Sequence, residues 1–299
     1  MAGFNATFYP TISGIAKEAL IAELPSFEMF SIGLDAGEKS TGEKVTVNVY
    51  GDPGATAAFD KVNNNYGNGD APDMDRKEVT LDRHYKKTKA ITDVHMTNGL
   101  ELKKLISGMV RRAIKDVKLD ALTLITAANF PTVAHTGAAS TLTADIAAKL
   151  ASENATAAGW DEADLKMGLV STYYTSLLQD DDLKTASPED QTQRRSGKVR
   201  LLSGWDAFNI PGLATNDNNL TGFITDASGI ALGFAVKKSA PSVRENLAMF
   251  EVIRVPGAPV ISLRGIVNPY TDEFLLTVEC LSGKAVARAE GLQRIRSAA

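Results

Sequence analysis

The sequence contains one cysteine, Cys280, and three histidines among 299 residues. A single cysteine excludes an internal disulfide framework and any zinc site built from several cysteines. No apolar run approaches the length of about 18 residues that a membrane-spanning helix needs, and the first residues lack the basic region and the apolar stretch of a signal peptide. The net charge of −4 argues against a nucleic-acid binder that is basic all round. We therefore expect a soluble protein that is made in the cytosol.

Motifs for catalysis, cofactor binding and metal binding are also missing. The segment 37–41, Gly-Glu-Lys-Ser-Thr, lacks the glycines that give a phosphate-binding loop its backbone cradle. Neither a dinucleotide-binding glycine pattern nor a nucleophile elbow occurs. The segment 217–222 begins like a calcium loop, but Ser228 stands where the bidentate glutamate is required. The sequence predicts no catalytic, cofactor-binding or metal-binding residue and no cofactor, and we do not expect an enzyme.

Two extended segments and a long connection between them follow the N-terminal region. Valines at every second position from Glu43 to Tyr50 predict a strand with one apolar face. Residues 77–91 also alternate between apolar and polar side chains. The 26 residues from Gly51 to Arg76 are rich in Gly, Asn and Asp, and a connection of this length inside a domain usually has a function or is disordered. We interpret the whole as a long β-hairpin with a flexible tip.

The strongest helical pattern runs from Asn98 to about Ala128, where apolar residues recur at helical spacing. Asn98 and Glu101 form a variant of the capping box, and Pro131 ends the pattern. About 31 residues at about 1.5 Å each give a helix of about 46 Å. A compact chain of this length has a radius of gyration of only about 19 Å. The pattern therefore predicts a flat or elongated subunit built along one spine helix.

The rest of the chain predicts an α/β segment followed by strands. Thr143–Ala158 and Ser171–Leu183 have helical patterns, with Thr143 near the start of the first and Ser171 or Thr172 as the cap of the second. Further strands are predicted at 165–171, 198–203, 205–210, 230–236, 247–255, 260–268, 273–281 and 284–289, with a turn at Ser282-Gly283. Together with the spine helix, this order predicts an α+β fold.

Three charge clusters are candidate contact sites. The acidic residues of the hairpin tip are Asp70, Asp73 and Asp75, and the basic residues of the predicted hairpin stem are Lys86, Lys87 and Lys89. The third cluster consists of Arg194, Arg195, Lys198 and Arg200. Solvated strand faces would explain the basic clusters, whereas contacts with an acidic neighbouring subunit or with phosphate would give them a function. A tip of one sign and a stem of the other suit docking of the tip onto the basic residues of the next copy of the same chain.

The order of these elements resembles the major capsid protein family of tailed bacteriophages, which has the Hong Kong 97 type fold. The segments that carry the resemblance are Val79-Thr-Leu-Asp-Arg-His-Tyr with Thr92–Thr97, Leu169–Leu178, Gly197–Pro211 and Ile230–Val236. They resemble the passage from extended loop to spine helix, a strand followed by a helix, the two short strands before the axial loop, and the strand that leaves the axial lobe.

The resemblance implies a division of the chain and a set of partners. The implied segments are an N-terminal arm (1–35), an extended loop (36–94), the spine helix of the peripheral domain (95–131), an axial α/β domain (132–240) and return strands of the peripheral domain (241–299). Copies of the chain would form pentamers and hexamers of an icosahedral shell around double-stranded DNA, which they would contact without sequence preference. The cluster Arg194, Arg195, Lys198 and Arg200 would face the lumen of this shell or an interface between subunits. A portal protein is implied, with a separate scaffolding protein and decoration proteins as optional partners and no membrane. The shell would assemble in the host cytoplasm and become the virion capsid.

Two alternatives remain open at this point. An encapsulin-like compartment shell would have the same fold, but it would hold a protein cargo and no genome. A soluble α/β enzyme would need a site assembled from dispersed residues such as His84, His135 and Asp161. The size of the purified particle distinguishes both shells from the enzyme.

Overall fold

The computed structural model describes residues 8–50, 74–92, 99–155, 158–160, 165–179, 201–202, 205–216, 219–239, 247–268 and 273–298. Helices and strands make up 31% and 42% of the structure, which confirms the α+β class. The helices are α1 (Phe8–Glu23), the spine helix α2 (Gly99–Leu122), α3 (Ala144–Lys149, continued by a π-helical stretch, Leu150–Ala155) and α4 (Ser171–Leu178). None of the described helices is both long and apolar enough to cross a membrane.

The strands form two six-stranded sheets and a separate two-stranded hairpin. Those of the first sheet are β1 (Ser31–Lys39), β4 (Arg83–Ile91), β10 (Ile230–Lys237), β11 (Met249–Ile253), β12 (Ile261–Asn268) and β13 (Glu273–Val286). Those of the second sheet are β5 (Val133–Thr136), β6 (Lys166–Leu169), β7 (Leu201–Leu202), β8 (Trp205–Asn209), β9 (Leu220–Thr225) and β14 (Leu292–Arg296). The hairpin consists of β2 (Lys44–Tyr50) and β3 (Met74–Thr80).

The first sheet is organised around its longest strand, β13. Leu281 and Ser282 pair with β10 and also with β4, so these two strands lie on opposite edges of β13. Alternate residues of β13, from Phe274 to Cys280, are buried in the largest apolar cluster together with residues of α1 and α2. The two helices therefore cover one face of this sheet. Cys280 is only 2% exposed, and burial raises the pKa of its thiol to about 12, as expected of an inert core cysteine.

The second sheet has its own core, built around Trp205. The strand order is β5-β14-β9-β6-β8-β7. The indole Nε1 of Trp205 donates to the carbonyl oxygen of Ala147 at 2.8 Å, which holds α3 on the sheet. Tyr173 of α4 donates its hydroxyl to the carbonyl of Gly137 at 2.6 Å. All four residues of β6 are buried, as the apolar run predicted.

Three predicted element boundaries are wrong. The spine helix ends at Leu122 instead of about Ala128, because the amides of Thr123, Leu124 and Ile125 turn back to carbonyls three residues earlier. Its 24 residues give a length of about 36 Å. Helix α4 ends at Leu178, short of Leu183, and its N-cap residue is Val170, without a side-chain cap. Ser282-Gly283 is not a turn, because β13 passes through it without a break. Asn98 lies outside the described residues.

The N-terminal region and two strands also differ from the expected division. Residues 8–23 of the predicted arm form a helix that packs against the spine helix of the same chain. Strand β10 pairs in the first sheet although it falls within 132–240, and β14 pairs in the second sheet although it falls within 241–299. The chain thus crosses between the sheets once more than the predicted segments allow. The division into five segments is otherwise a prediction.

Candidate assembly surfaces

The hairpin pairs as its alternating sequence predicts. Lys44 to Tyr50 run antiparallel to Thr80 to Met74, and the burial of β2 alternates strictly. Val45, Val47 and Val49 are buried, and the residues between them are exposed. Period-two burial of this kind means that one face of the hairpin lies on the body of the subunit.

A row of three glycines in the first sheet forms the seat of the hairpin. Gly33 of β1 lies opposite Gly233 of β10, which lies opposite Gly283 of β13. A methyl group on Gly33 would lie 2.7 Å from Cγ2 of Val47, and one on Gly233 would lie 3.2 Å from Val79. A methyl group on Gly283 would overlap the carbonyl oxygen of Thr80. The row is therefore needed for the close approach of the hairpin backbone.

Small apolar residues complete the seat on both sides of the glycines. Val47, Val49 and Val79 pack with Ala231 and Ala287, while Val45 and Leu81 pack with Ala235 and Leu281. The base of the hairpin is thus part of the folded core of the subunit. The segment expected to be one extended loop, 36–94, also contains β4, which pairs along β13 in the first sheet. The face of the base that lies on the sheet is therefore not available for contacts between subunits, whereas its outer face is exposed.

The far end of the hairpin exposes one aromatic side chain. Tyr50 is 67% exposed and lies opposite Met74 in the last pair of the base. Asp75 is exposed on β3. Asp70 and Asp73 lie outside the described residues, so their place relative to Asp75 is a prediction. Tyr50 and Asp75 therefore give this end of the base an exposed aromatic and an exposed acidic side chain.

The basic residues Lys86, Lys87 and Lys89 lie together on β4 and are all exposed. Among the described residues β4 pairs only with β13, which makes it an edge strand. Lysines on an edge strand discourage unwanted strand pairing while offering charge to a chosen partner. A groove of about 350 Å³ lies between this strand and the spine helix, lined by Tyr85, Lys86, Lys87, Arg112, Ala113 and Asp116.

The outer face of the spine helix is a further basic surface, which the sequence analysis missed. Lys104, Arg111 and Lys115 are exposed on the side opposite the buried residues of the helix. The spacing i, i+7, i+11 places the three on one line, and this signal was present in the sequence. On the flank toward α1, Lys103 pairs with Glu18 at 2.8 Å and Arg111 with Glu23 at 3.7 Å.

The end of the spine helix is fixed by Lys284 of β13. Its Nζ donates to the carbonyl oxygen of Asp120 at 2.7 Å, to Oδ1 of Asp120 at 2.8 Å and to Oγ1 of Thr123 at 2.7 Å. A cation at the C-terminus of a helix also compensates the helix dipole. Burial, together with the charge of Asp120, raises the pKa of the neighbouring Tyr85 above its ordinary value. The tyrosine is therefore neutral and serves packing.

The two histidines proposed for an enzyme lie in different sheets. His84 lies in β4 of the first sheet, 3.6 Å from a carboxylate oxygen of Glu279, which also pairs with Arg264 at 2.9 Å. His135 lies in β5 of the second sheet, where burial lowers its pKa. Asp161 and the cluster Arg194, Arg195, Lys198 and Arg200 lie outside the described residues. Within the described ranges, no group of three or more His, Cys, Asp or Glu residues could hold a metal ion.

Comparisons with known proteins identify the fold. No protein-family model and no curated protein matches the sequence. A virus-like particle from Pyrococcus furiosus is similar in structure with a TM-score of 0.51 and 8% identity, over 97% of this chain and 99% of that chain. The capsid of the cyanophage P-SCSP1u has a TM-score of 0.49 and 12% identity over 90% of this chain and 86% of that chain. The first of these likenesses extends over nearly all of both chains. The capsid-type fold expected from the order of elements is confirmed, and the Hong Kong 97 subtype is still a prediction.

Proposed function

We propose that this chain is a capsid-type shell protein, the major capsid protein of a tailed bacteriophage, and that its copies assemble into a closed shell around double-stranded DNA. The observation that carries the proposal is the fold shared with a virus-like particle over nearly the full length of both chains. A shell subunit needs no reaction site, and the described residues bring no catalytic set together. It does need surfaces that fit other copies of itself.

The seated hairpin supplies such a surface. Its base is immobilised on the glycine row, while its far end exposes Tyr50 and continues into 51–73. Obligate interfaces commonly bury more than about 2,000 Å² in total. A hairpin with a fixed base adds contact area at its exposed end without enlarging the body of the subunit.

Charge complementarity suggests where this segment docks. The tip from Asp60 to Glu78 has five acidic and three basic residues, whereas Asp82 to Asp93 has four basic and two acidic ones. We assign the acidic residues Asp70, Asp73 and Asp75 to contacts with Lys86, Lys87 and Lys89 of the next copy. Each exposed pair contributes at most about 1 kcal/mol and weakens with salt. Repetition around every ring of subunits makes the sum significant.

The wider setting follows from the same proposal. The subunits form pentamers and hexamers, and the shell carries a portal protein at one vertex. The packaged DNA is contacted without sequence preference, and the finished shell is the capsid of the virion after assembly in the host cytoplasm. A scaffolding protein and decoration proteins are optional partners.

Sedimentation and negative-stain microscopy of the purified chain test the assembly. We expect closed shells, and a homogeneous small oligomer at all concentrations would contradict the proposal. Shells that enclose a protein cargo and no DNA when isolated from an infected host would favour the compartment alternative.

Charge reversal tests the docking site within the assembly. Replacing Lys86, Lys87 and Lys89 by Glu should abolish shells, and additionally replacing Asp70, Asp73 and Asp75 by Lys should restore them. The matched control replaces Asp145, Glu153 and Glu290, which are exposed on other elements, by Lys in the same Glu-bearing background. Equal rescue by both sets would show that net charge, and not pairing, controls assembly.

A further inference from the structure

Charge is strongly segregated in this chain. The two segments 82–91 and 99–122 carry ten basic and four acidic residues, a net charge of +6, so the rest of the chain carries −10. These segments include β4 and the spine helix, which pack against each other. An acidic protein thus carries a net positive charge on two neighbouring elements, although Glu18 and Glu23 of α1 pair with Lys103 and Arg111. An excess of exposed cations attracts polyanions.

The most prominent part of this surface is a line of three cations, here called the cation row: Lys104, Arg111 and Lys115. Along the helix axis Lys104 and Lys115 are about 16 Å apart, with Arg111 between them. Lys104 and Lys115 have no acidic partner among the described residues. The basic groove with Lys86, Lys87 and Arg112 runs beside the row.

Gly108 interrupts the helix surface inside the cation row. It is exposed, and nothing lies within 4 Å of the position that a side chain would take. No packing contact in the described chain therefore accounts for a glycine in the middle of a helix. A missing side chain between Lys104 and Arg111 does allow a ligand backbone to approach the helix closely.

We propose that the cation row binds the phosphate backbone of double-stranded nucleic acid, and that this helix face is the lumenal face of the subunit. The lumenal position of this face rests on the proposed function, whereas the binding of phosphates by the cation row does not. A duplex carries one charge per about 1.7 Å of its axis, so cations at any spacing along a straight row meet phosphates without reading sequence. The core of a protein interface, by contrast, is centred on aromatic or apolar anchors, and charged residues are confined to its rim. Between Lys104 and Lys115 the outward line of the helix contains only polar residues and Gly108.

Fluorescence anisotropy with a labelled duplex of random sequence measures the contact. The full-length protein is held below its assembly concentration, and the affinity is followed across a salt series. The test variant carries Lys104→Gln, Arg111→Gln and Lys115→Gln. We expect its affinity at low salt to fall at least about tenfold, and the slope of log affinity against log salt to decrease by about 0.9 for each lost phosphate contact.

The matched control carries Lys44→Gln on β2, Lys149→Gln on α3 and Lys238→Gln just after β10, which make the same change in net charge at three other exposed positions. The control should bind the duplex as the unmodified chain does, and a Lys104→Arg, Lys115→Arg variant should retain binding and slope. Equal losses in the test and control variants would overturn the proposal. Loss of binding in the arginine variant would also overturn it, because charge alone would then not explain the contact.

Shell formation by the same variants separates this inference from the proposed function. If the test variant forms shells that contain less nucleic acid than shells of the control variant, the result would support both the inference and the proposed function. A test variant that binds the duplex normally but forms no shells would overturn the inference, since the row would then be a subunit interface. A chain that binds the duplex through the row and never forms shells would support the inference and contradict the proposed function.

Discussion

The substitution Gly283→Ala tests the seat of the hairpin directly. The added methyl group would overlap the carbonyl oxygen of Thr80 and would come within 2.9 Å of Cγ1 of Val79. A backbone carbonyl paired in a hairpin cannot rotate away as the end of a flexible side chain can. Either β3 or β13 must therefore move.

The expected loss of stability follows from comparing two costs, that of overpacking the site and that of detaching the hairpin. Overpacking by one methyl group in a close-packed site typically costs about 1–3 kcal/mol. Complete detachment of the hairpin would expose Val45, Val47, Val49, Val79 and Leu81, all of which are at most 3% exposed. At about 1.5–3 kcal/mol for each side chain, detachment would cost about 7 kcal/mol or more. We therefore expect the hairpin to stay attached to the sheet but to shift on it, and the free energy of unfolding to fall by about 1–3 kcal/mol.

Urea unfolding of dissociated subunits and negative-stain microscopy of assembly mixtures measure the two consequences. We expect a lower unfolding midpoint for Gly283→Ala together with a loss of regular shells, because the base of the hairpin, with the exposed Tyr50 at its end, is shifted on the sheet. Gly233→Ala should cost less than about 1 kcal/mol, since its nearest neighbours are side-chain carbons at 3.2 Å.

Gly108→Ala is the control, because it should raise the free energy of unfolding instead of lowering it. Its added methyl group meets nothing within 4 Å, and alanine stabilises a helix interior by about 0.5–1 kcal/mol relative to glycine. Wild-type stability and normal shells from Gly283→Ala would refute the role of the glycine row.

Three further outcomes are expected. Ile114→Asp should lower the free energy of unfolding by several kcal/mol because Ile114 is 1% exposed, whereas Leu105→Asp should cost less because Leu105 is only partly buried; equal chemical-denaturation midpoints would contradict this. Replacing 51–73 by an Asn-Gly turn should leave the helix content by circular dichroism unchanged and stop sedimentation at monomers or capsomers, and closed shells would show that the segment is dispensable. Neutral replacements of Arg194, Arg195, Lys198 and Arg200 should reduce genome retention without blocking shells; loss of shells would place this cluster at an interface.

Local periodicity was sufficient to predict several elements. The valines of β2 and the apolar face of the spine helix are buried as their spacing indicates. Both patterns repeat over enough residues to be distinguished from chance, and each element buries the face that the pattern marks. Helix α1 was missed because its glycine and two-sided apolar pattern give only a weak stripe, and it is stabilised by packing on the spine helix.

The continuity of β13 could not be predicted from local periodicity. Ser282-Gly283 has the composition of a turn, yet Gly283 is needed because another backbone lies against it. A glycine that permits a close approach and a glycine that permits a turn look alike in one sequence. The difference depends on Thr80, which is distant in the chain and reaches Gly283 only through the fold.

The two basic surfaces also differ in whether the sequence alone reveals them. The cluster Lys86, Lys87 and Lys89 was visible because its members are adjacent in sequence. The cation row is spaced by seven and four residues, so it becomes apparent only when the helix is laid out by face. Its alignment beside β4 is a tertiary contact that the sequence alone does not give.

Strand β13 links the two surfaces through consecutive residues. Side chains of a strand alternate between faces, so Gly283 receives the hairpin on one face while Lys284 holds the end of the spine helix on the other. A hydrogen bond to a charged group contributes about 1.5–3 kcal/mol, whereas one exposed ion pair of a docked tip contributes at most about 1 kcal/mol. Under the proposed docking, a single ion pair would therefore be too weak to release the end of the spine helix from Lys284. A hairpin base that is already fixed on its own subunit would also lose less conformational entropy on meeting a neighbour than a free strand pair would.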